Sequence, residues 1–545
     1  MASFPAYGGP RSTELPPTAG RDSMWTPLRE SLFRAIWLAS LASNIGTWMQ
    51  NVGASWLMTS LSPSPLMVSL IQTASSLPIF LLALPAGALA DVVDRRRLLI
   101  ISQAWMLVAA GALGLLTLAH TTTPMLLLIL SFALGIGAAL NAPAWQAIIP
   151  EVVTRNELPA AIALGGINFN FARAIGPALG GLIVALVGAG TNFILNALSF
   201  LGVIVVLYRW KRQHIAGVLP AERFVGAMRA GIRYVRHAPM LRAVLIRTGV
   251  FILGGAAMWA TLPLIARQQL HLTAGGFGGL LGAFGAGAVI GGTALRRIRQ
   301  HLSRDGLVIY ATIVFAATTI GLGYVSTVLS AYLLMAAGGS AWVALMAELN
   351  VAAQLAVPRW VQGRALAIYQ IVLQGGLAIM SVGWGALAEK IGIPWTMYAA
   401  GAALLLSTAA NLRWKIKQAD QLELDQVPIP IPEIKQHLHD DAGPVLIAIE
   451  YLIKPATAPE FEAVMQRIRV MRRRDGATFW ALFCDAAQPE RYIEYWIVDT
   501  WMEHLRQHLR VTQADHDLLK SARSFHIGEK PPVTSHQLAA SGGVR

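Results

Sequence analysis

The stretch GALADVVDRRRLLI, Gly87–Ile100, sets two aspartates and three arginines between two oily runs, IFLLALPA from Ile79 and SQAWMLVAAGALGLL from Ser102. Whether such a block lies on a soluble surface or between membrane spans separates two kinds of protein. Only 13% of the 545 residues are charged and 55% are hydrophobic, whereas a soluble domain carries about 25% charged residues. The formal net charge of +14 would suit nucleic acid, but that partner requires a basic face on a soluble domain. Here the arginines fall in short blocks between apolar runs, so the lipid bilayer is the expected partner and nucleic acid is not. The lone Cys484 excludes an intramolecular disulfide framework, a cysteine-based zinc site and an iron-sulfur cluster.

A span needs about 20 predominantly apolar residues. Twelve segments qualify, at 32–58, 67–90, 98–118, 125–144, 159–187, 192–208, 241–265, 274–295, 306–325, 331–354, 365–388 and 394–412, the sixth being the shortest. Cytoplasmic loops accumulate Lys and Arg. One set of loops carries Arg95, Arg96, Arg97, Arg155, Arg209, Lys211, Arg212, Arg223, Arg229, Arg233, Arg236, Arg296, Arg297, Arg299, Arg304, Arg359 and Arg364, while the other carries only Arg267 and Lys390. This asymmetry predicts a multi-pass membrane protein with both termini cytoplasmic. The charged block is then the cytoplasmic loop between spans two and three.

Residues 1–25, rich in Pro, Gly and Ser, read as a disordered tail rather than a signal peptide. Residues 26–209 form one six-span half and 241–415 the other, joined by a basic, amphipathic cytoplasmic linker at 210–240. PEVVTRNELPAAIAL from Pro150 recurs in outline as PRWVQGRALAIYQIV from Pro358, an offset of about 205 to 210 residues that suits parallel halves with substrate held between them. A Pro-rich linker at 416–443 leads to a segment, 444–530, with soluble character. Its order of strand, helix, two strands and helix, with a last strand near Phe525, predicts a small ferredoxin-like α+β domain. Residues 531–545 are expected to be a disordered tail.

Gly87, Leu89, Asp91, Arg95, Arg96 and Arg97 resemble the loop motif of the major facilitator superfamily, with Val92 in place of a basic residue and Asp94 in place of a glycine. That variant is similar to the branch described as transmembrane secretion effectors, which includes enterobactin-exporter-like proteins. LASNIGTWMQNVGASWLM from Leu41, NAPAWQAIIPEVVTRNELPAAIAL from Asn141, RAIGPALGG from Arg173 and WMEHLRQHLRVTQAD from Trp501 extend the resemblance over nearly the whole chain after Trp25. The resemblance implies an all-α membrane protein, a twelve-helix bundle of two six-helix halves, with the ferredoxin-like domain appended. It also implies that Asp91 gates transport, with Arg95 or Arg96 as partner and the start of span eleven, near Arg364, as the facing surface. A carboxylate at a helix end pairs with arginines and helix N-termini only when the two sides meet. The plainer alternative is a topology anchor. Arg296 stands where the repeat would place a second Asp91.

GPALGG, with Gly176, Pro177, Gly180 and Gly181, resembles the end of a motif of proton-coupled drug antiporters. Small residues at that spacing also simply let helices approach. Ionisable groups inside spans are costly and therefore functional candidates. Glu348 in span ten is a proton-carrier candidate, with Asp91 and Arg173 as further proton-coupling candidates; the plainer readings of Glu348 are a structural carboxylate paired to an arginine, or one placed near the cytoplasmic end. Arg173, with Asn168 and Asn170 before it, is a candidate for an anionic group or for pairing with Glu348. Asn44, Trp48, Gln50, Asn51, Asn141, Trp145, Gln146 and Trp259 would line the cavity in this superfamily, with Asn168 a further cavity candidate, a surface suited to bulky amphipathic molecules. The asparagines serve equally well as interhelical joints.

His504 and His508, four residues apart, have a spacing that could hold a metal on one helical face, but without a nearby Cys or clear acidic ligand they read, with His516, as a solvated surface, and no metal is expected. No phosphate-binding P-loop appears, so neither ATP nor any cofactor is expected. The preferred reading is a secondary transporter exporting a small amphipathic siderophore, drug or metabolite in exchange for protons, with the tail as a regulatory or dimerisation module. The alternatives are an importer, or a membrane-anchored enzyme whose tail resembles antibiotic-biosynthesis monooxygenases.

Overall fold

The computed structural model describes residues 24–154, 156–210, 224–358, 360–415, 427 and 442–539. Residues 1–23 of the expected N-terminal tail, 211–223 of the first expected linker, most of 416–443 of the second and the last six residues lie outside this set. The helices are α1 (Ser31–Leu61), α2 (Pro65–Val92), α3 (Arg95–Leu118), α4 (Pro124–Val152), α5 (Leu158–Arg209), α6 (Phe224–His237), α7 (Pro239–Leu264), α8 (Ala274–Ile298), α9 (Arg304–Tyr324), α10 (Val328–Leu355), α11 (Gln362–Ile391) and α12 (Ile393–Arg413).

Ten helices among the described residues are long and apolar enough to cross a membrane. The 52-residue α5 holds two spans, because Gly188 at φ 84°, ψ 165° breaks it, a conformation that side chains with a Cβ rarely adopt. Adding α1, whose Asn44, Thr47, Gln50 and Asn51 make it more polar, the bundle has twelve spans. Helix starts are written locally. Ser64, Asp94, Thr123, Ser303 and Thr327 each accept a hydrogen bond from a backbone N–H of the following first turn, satisfying donors that no carbonyl reaches. Asp94, one of the two aspartates of the charged block, is thus the N-cap of α3.

Without a hydrophobic drive between helices in lipid, small residues and amide bonds hold them. The α1–α5 joint uses both. A Cβ at Gly176 would stand 2.6 Å from the Trp48 Cβ, and one at Gly180 would stand 2.7 Å from the Met49 Cα. Beside them the Asn192 amide donates to the Met49 carbonyl at 2.7 Å and Asn196 donates to Gln50 at 3.2 Å. Gly181 instead faces the other half, where a Cβ would meet the Ala274 carbonyl and the Gly278 Cα of α8 at 2.6 Å. Gly181→Leu is therefore expected to cost about 1–3 kcal/mol by overpacking and to lower the yield of monodisperse protein in detergent. Gly87→Ala, where nothing lies within 4 Å of the new Cβ, should leave that yield unchanged.

The second domain contains β1 (Val445–Leu452), α13 (Ala458–Asp475), β2 (Phe479–Cys484), β3 (Arg491–Val498), α14 (Trp501–Arg510), α15 (Gln513–Ser524) and β4 (Val533–Leu538). Its antiparallel sheet has the order β2-β3-β1-β4, as the ferredoxin-like reading requires. On β3 Tyr492, Glu494, Trp496 and Val498 alternate inward, against Phe461, Met465, Ile468 and Met471 of α13. Two details differ from expectation. The last strand lies at Val533–Leu538, beyond Phe525 and inside the residues expected to be a disordered tail, because it pairs with the open edge of β1 from Val445 to Glu450. The single expected helix from Trp501 is two, since Thr512 caps α15 in a reciprocal box with Asp515.

Candidate functional site

The loop motif is anchored within the first half. Arg95 donates to Glu151 at 2.8 Å and to the Ala147 carbonyl at 3.2 Å, both on α4. Arg96 donates to the carbonyls of Leu207 and Tyr208, each at 2.7 Å, closing the last turn of α5, where a cation is favoured. Gly87 faces open space. The side chain of Asp91, and that of Arg296, lie outside the described residues. Arg364, in the first turn of α11, packs against α6, where a Cβ at Gly231 would stand 3.1 Å from the Arg364 Cβ.

Glu348 lies about two turns from the end of α10. It is buried, and it pairs with the half-wet Arg299 just beyond α8. Its second carboxylate oxygen is buried with no hydrogen-bond partner. The expected pairing with Arg173 does not form. Arg173 instead donates to Asn170 at 3.0 Å, because α5 and α10 present these groups to different neighbours.

Of the cavity candidates, Asn44 and Asn168 bond to each other at 2.9 Å, and Asn168 also donates to the Trp37 carbonyl and Ser40. Asn168 is 2% exposed, so it is an α1–α5 joint rather than cavity wall. Asn141 accepts from Gln103 at 3.1 Å and so ties α4 to α3. Asn51 and Gln146 are exposed. Trp48 packs edge-on against Phe169 at 6.2 Å, and Trp145 lines a small apolar cavity with Phe33, Trp37 and Ile148. Trp259 stands half-buried between Phe284 and Trp342, with centroids at 5.2 and 5.6 Å. Its indole N–H is buried without an acceptor.

The arginine-poor end joins the two halves. Trp56 of α1 stacks on Phe277 of α8 at 5.8 Å, with the Arg267 guanidinium 5.7 Å from the Trp56 ring. Arg267 donates to Thr59 at 3.0 Å and Ser60 at 2.6 Å. Ser64 bonds Glu389 at 3.2 Å, and further into the bundle Thr73 of α2 donates to the Ala378 carbonyl of α11 at 2.7 Å. Sequence reasoning missed this closure, although Arg267 stood out as the rare cation of the arginine-poor loops.

It also missed Arg247. This wholly buried residue of α7 pairs with Asp305 at the start of α9, donates to Asn411 of α12 at 2.7 Å, and reaches the Trp414 carbonyl at 3.4 Å. The signal was one arginine inside the apolar run LRAVLIRTGVFIL.

The soluble domain docks on α6 and on the turn between α10 and α11. Arg233 of α6 pairs with Glu503 of α14 at 3.0 Å, and Arg510 pairs with the same carboxylate at 2.7 Å. Arg510 also lies over Trp360 at 4.3 Å, and Trp360 meets Tyr234 edge-on at 5.8 Å. Burial, its first cause, holds the Tyr234 hydroxyl well above its ordinary range. Glu503→Gln should weaken this docking and speed proteolysis near residue 427, with thermal unfolding of the bundle unchanged. A wild-type cleavage rate would show that the pair does not hold the domain.

The expected solvated histidine face is not formed. His504 is 2% exposed, and His508 and His536 of β4 gather beside it. Burial first, then the neighbouring imidazoles, push the His504 pKa down to about 3, and burial lowers that of His536. His516 lies on α15, outside this group.

The transmembrane secretion effector family matches residues 22–542. The chain belongs to that family. Its relatives include a staphyloferrin A transporter of Staphylococcus aureus, 24% identical over 51% of this chain and 70% of the relative. A multidrug efflux pump of Mycolicibacterium fortuitum is 23% identical over 68% and 92%. An enterobactin exporter of Salmonella typhimurium is 25% identical over 53% and 69%. Among solved structures, an inward-facing bacterial homologue of the lysosomal transporter Spinster aligns with TM-score 0.56 over 71% of this chain and 97% of that one, at 13% identity. A POT family transporter in complex with 5-aminolevulinic acid aligns with TM-score 0.59 over 71% and 96%, also at 13%. These structures share the fold. The family member described here is thus a multi-pass membrane transporter of the major facilitator type, and its family and relatives are transporters, not enzymes.

Proposed function

We propose that the protein exports a small amphipathic molecule, a siderophore, drug or secondary metabolite, in exchange for protons. It works by alternating access in a bacterial inner membrane, with the arginine-rich loops and both termini cytoplasmic. The observation that carries this reading is the closure at the arginine-poor end. It consists of one aromatic stack, one arginine on two hydroxyls, a few single hydrogen bonds and the close packing of Gly181 on Ala274 and Gly278, contacts between the halves that can part without unpacking either half. Opening it while the arginine-rich end closes would move a bound molecule outward.

The cavity would be walled by Trp48, Trp145 and the Trp259–Phe284–Trp342 group, with Asn51 and Gln146 supplying amides. Aromatic walls with few fixed charges and an unused indole donor suit an amphipathic ligand, in keeping with relatives named for siderophores and drugs. Gly87, Asp91, Arg95, Arg96 and Arg364 would form the cytoplasmic gate, with Arg95 and Arg96 already held in place by the first half. Glu348 is the proposed proton carrier. When ionised it pairs with Arg299, and when protonated it releases that arginine.

The test is accumulation of a labelled panel of catecholate and carboxylate siderophores and amphipathic drugs, in a strain lacking its own exporters. Expression is expected to lower accumulation of at least one class, and a protein lacking residues 440–545 should retain part of that effect. Unchanged accumulation across the panel, or complete loss on deletion of the domain, would count against export by the bundle.

A further inference from the structure

The C-terminal domain holds a group of side chains that transport does not use. We propose that His504, His508 and His536 form a binding site for a divalent transition-metal ion, of the zinc, nickel or copper type. Two of the three come from one face of α14, four residues apart and so about one turn, and the third comes from β4. The sheet topology, which places β4 at the edge beside β1, brings it over α14.

One ring nitrogen from each histidine lies within 4.8 Å of the other two. The Nε2 atoms of His504 and His508 are 3.3 Å apart. Two zinc–imidazole bonds of about 2.0–2.1 Å at a tetrahedral angle separate their nitrogens by about 3.3–3.4 Å. The α14 pair therefore already has the separation of two ligands, and His536 needs only a modest side-chain adjustment. Three imidazoles without thiolate or carboxylate favour zinc, copper or nickel over calcium or magnesium, and they leave a fourth position for water.

Packing supports a defined site rather than a crowded surface. Trp501 covers the group, lying 5.2 Å from His504 and 5.9 Å from His536 by ring centroids. His504 Nδ1 is buried without a hydrogen-bond partner among the described residues, and the ring's Nε2 lies at hydrogen-bond distance from the Nε2 of His508. The neighbouring positions Glu503 and Arg510 face the bundle instead. A bound ion would pin this docking helix to β4.

The experiment uses tag-free, full-length protein in detergent, stripped with chelator and titrated with Co²⁺ and then Zn²⁺. About one equivalent of Co²⁺ should give the visible absorption of a low-coordinate imidazole site, displaced by Zn²⁺. His508→Gln and His536→Gln, both only part-buried positions, should each weaken binding by at least about tenfold. His516→Gln should bind as wild type. Circular dichroism on each variant separates lost ligands from a lost fold. The absence of a Co²⁺ band in wild type, or a band retained at full strength by both His508→Gln and His536→Gln, would overturn the site.

Discussion

Arg247→Ala is expected to destabilise the second half by about 3 kcal/mol, the lower part of the range for breaking a buried ion pair. The side chain is wholly buried and links three spans, α7, α9 and α12, through Asp305, Asn411 and the Trp414 carbonyl. Alanine removes those donors and leaves a cavity where the guanidinium stood. Asp305 is 26% exposed, so water can reach it, and this keeps the loss from the top of the range. Thermal unfolding of purified protein measures the effect. Asp305→Asn retains an acceptor for Arg247 but leaves the wholly buried guanidinium without its counter-charge, so it too is expected to destabilise the second half by about 3 kcal/mol. Losses under about 1 kcal/mol for both variants would show that this buried pair does not hold the three spans together.

Glu348→Gln is expected to lower gradient-driven transport at least about tenfold, equivalent to about 1.4 kcal/mol in the limiting barrier. The amide matches the carboxylate in shape but cannot exchange a proton. Because Arg299 is 39% exposed, it can be solvated when its partner is neutral, and folding should survive the change. Substrate exchange without a proton gradient should therefore persist in this variant. If gradient-driven transport remains at the wild-type rate, Glu348 is a structural carboxylate.

Spans were readable in the sequence because lipid demands unbroken apolar helices, and the break at Gly188 fell between two segments already separated on that ground. The ferredoxin-like order was readable from alternation on β1 and β3. The position of β4 was not, since VTSHQL is polar and half-exposed and its strand exists only by pairing with β1. At the site, Glu348 and Arg173 were visible as charges in apolar runs, but their partners were not. Arg299 lies beyond the end of another helix, and only the packing of α8 on α10 brings it to Glu348. Arg247 carried the same signal as Arg173, one cation inside an apolar run, but its partners Asp305 and Asn411 lie 58 and 164 residues away and only the packing of three spans brings them together. Asn44 and Asn168 read equally well as cavity wall or as joint, and in the structure they bond to each other between α1 and α5. The pairing of His504 with His508 was written in their spacing, whereas His536 required the sheet.

Proton exchange is tested most directly in inverted membrane vesicles whose lumen has been acidified. A substrate identified by the accumulation panel is added outside while a lumenal pH indicator is followed. The account predicts that substrate enters and the lumen becomes more alkaline, an effect that Glu348→Gln abolishes. Substrate entry with no change in lumenal pH, at the same rate with and without the gradient, would contradict it.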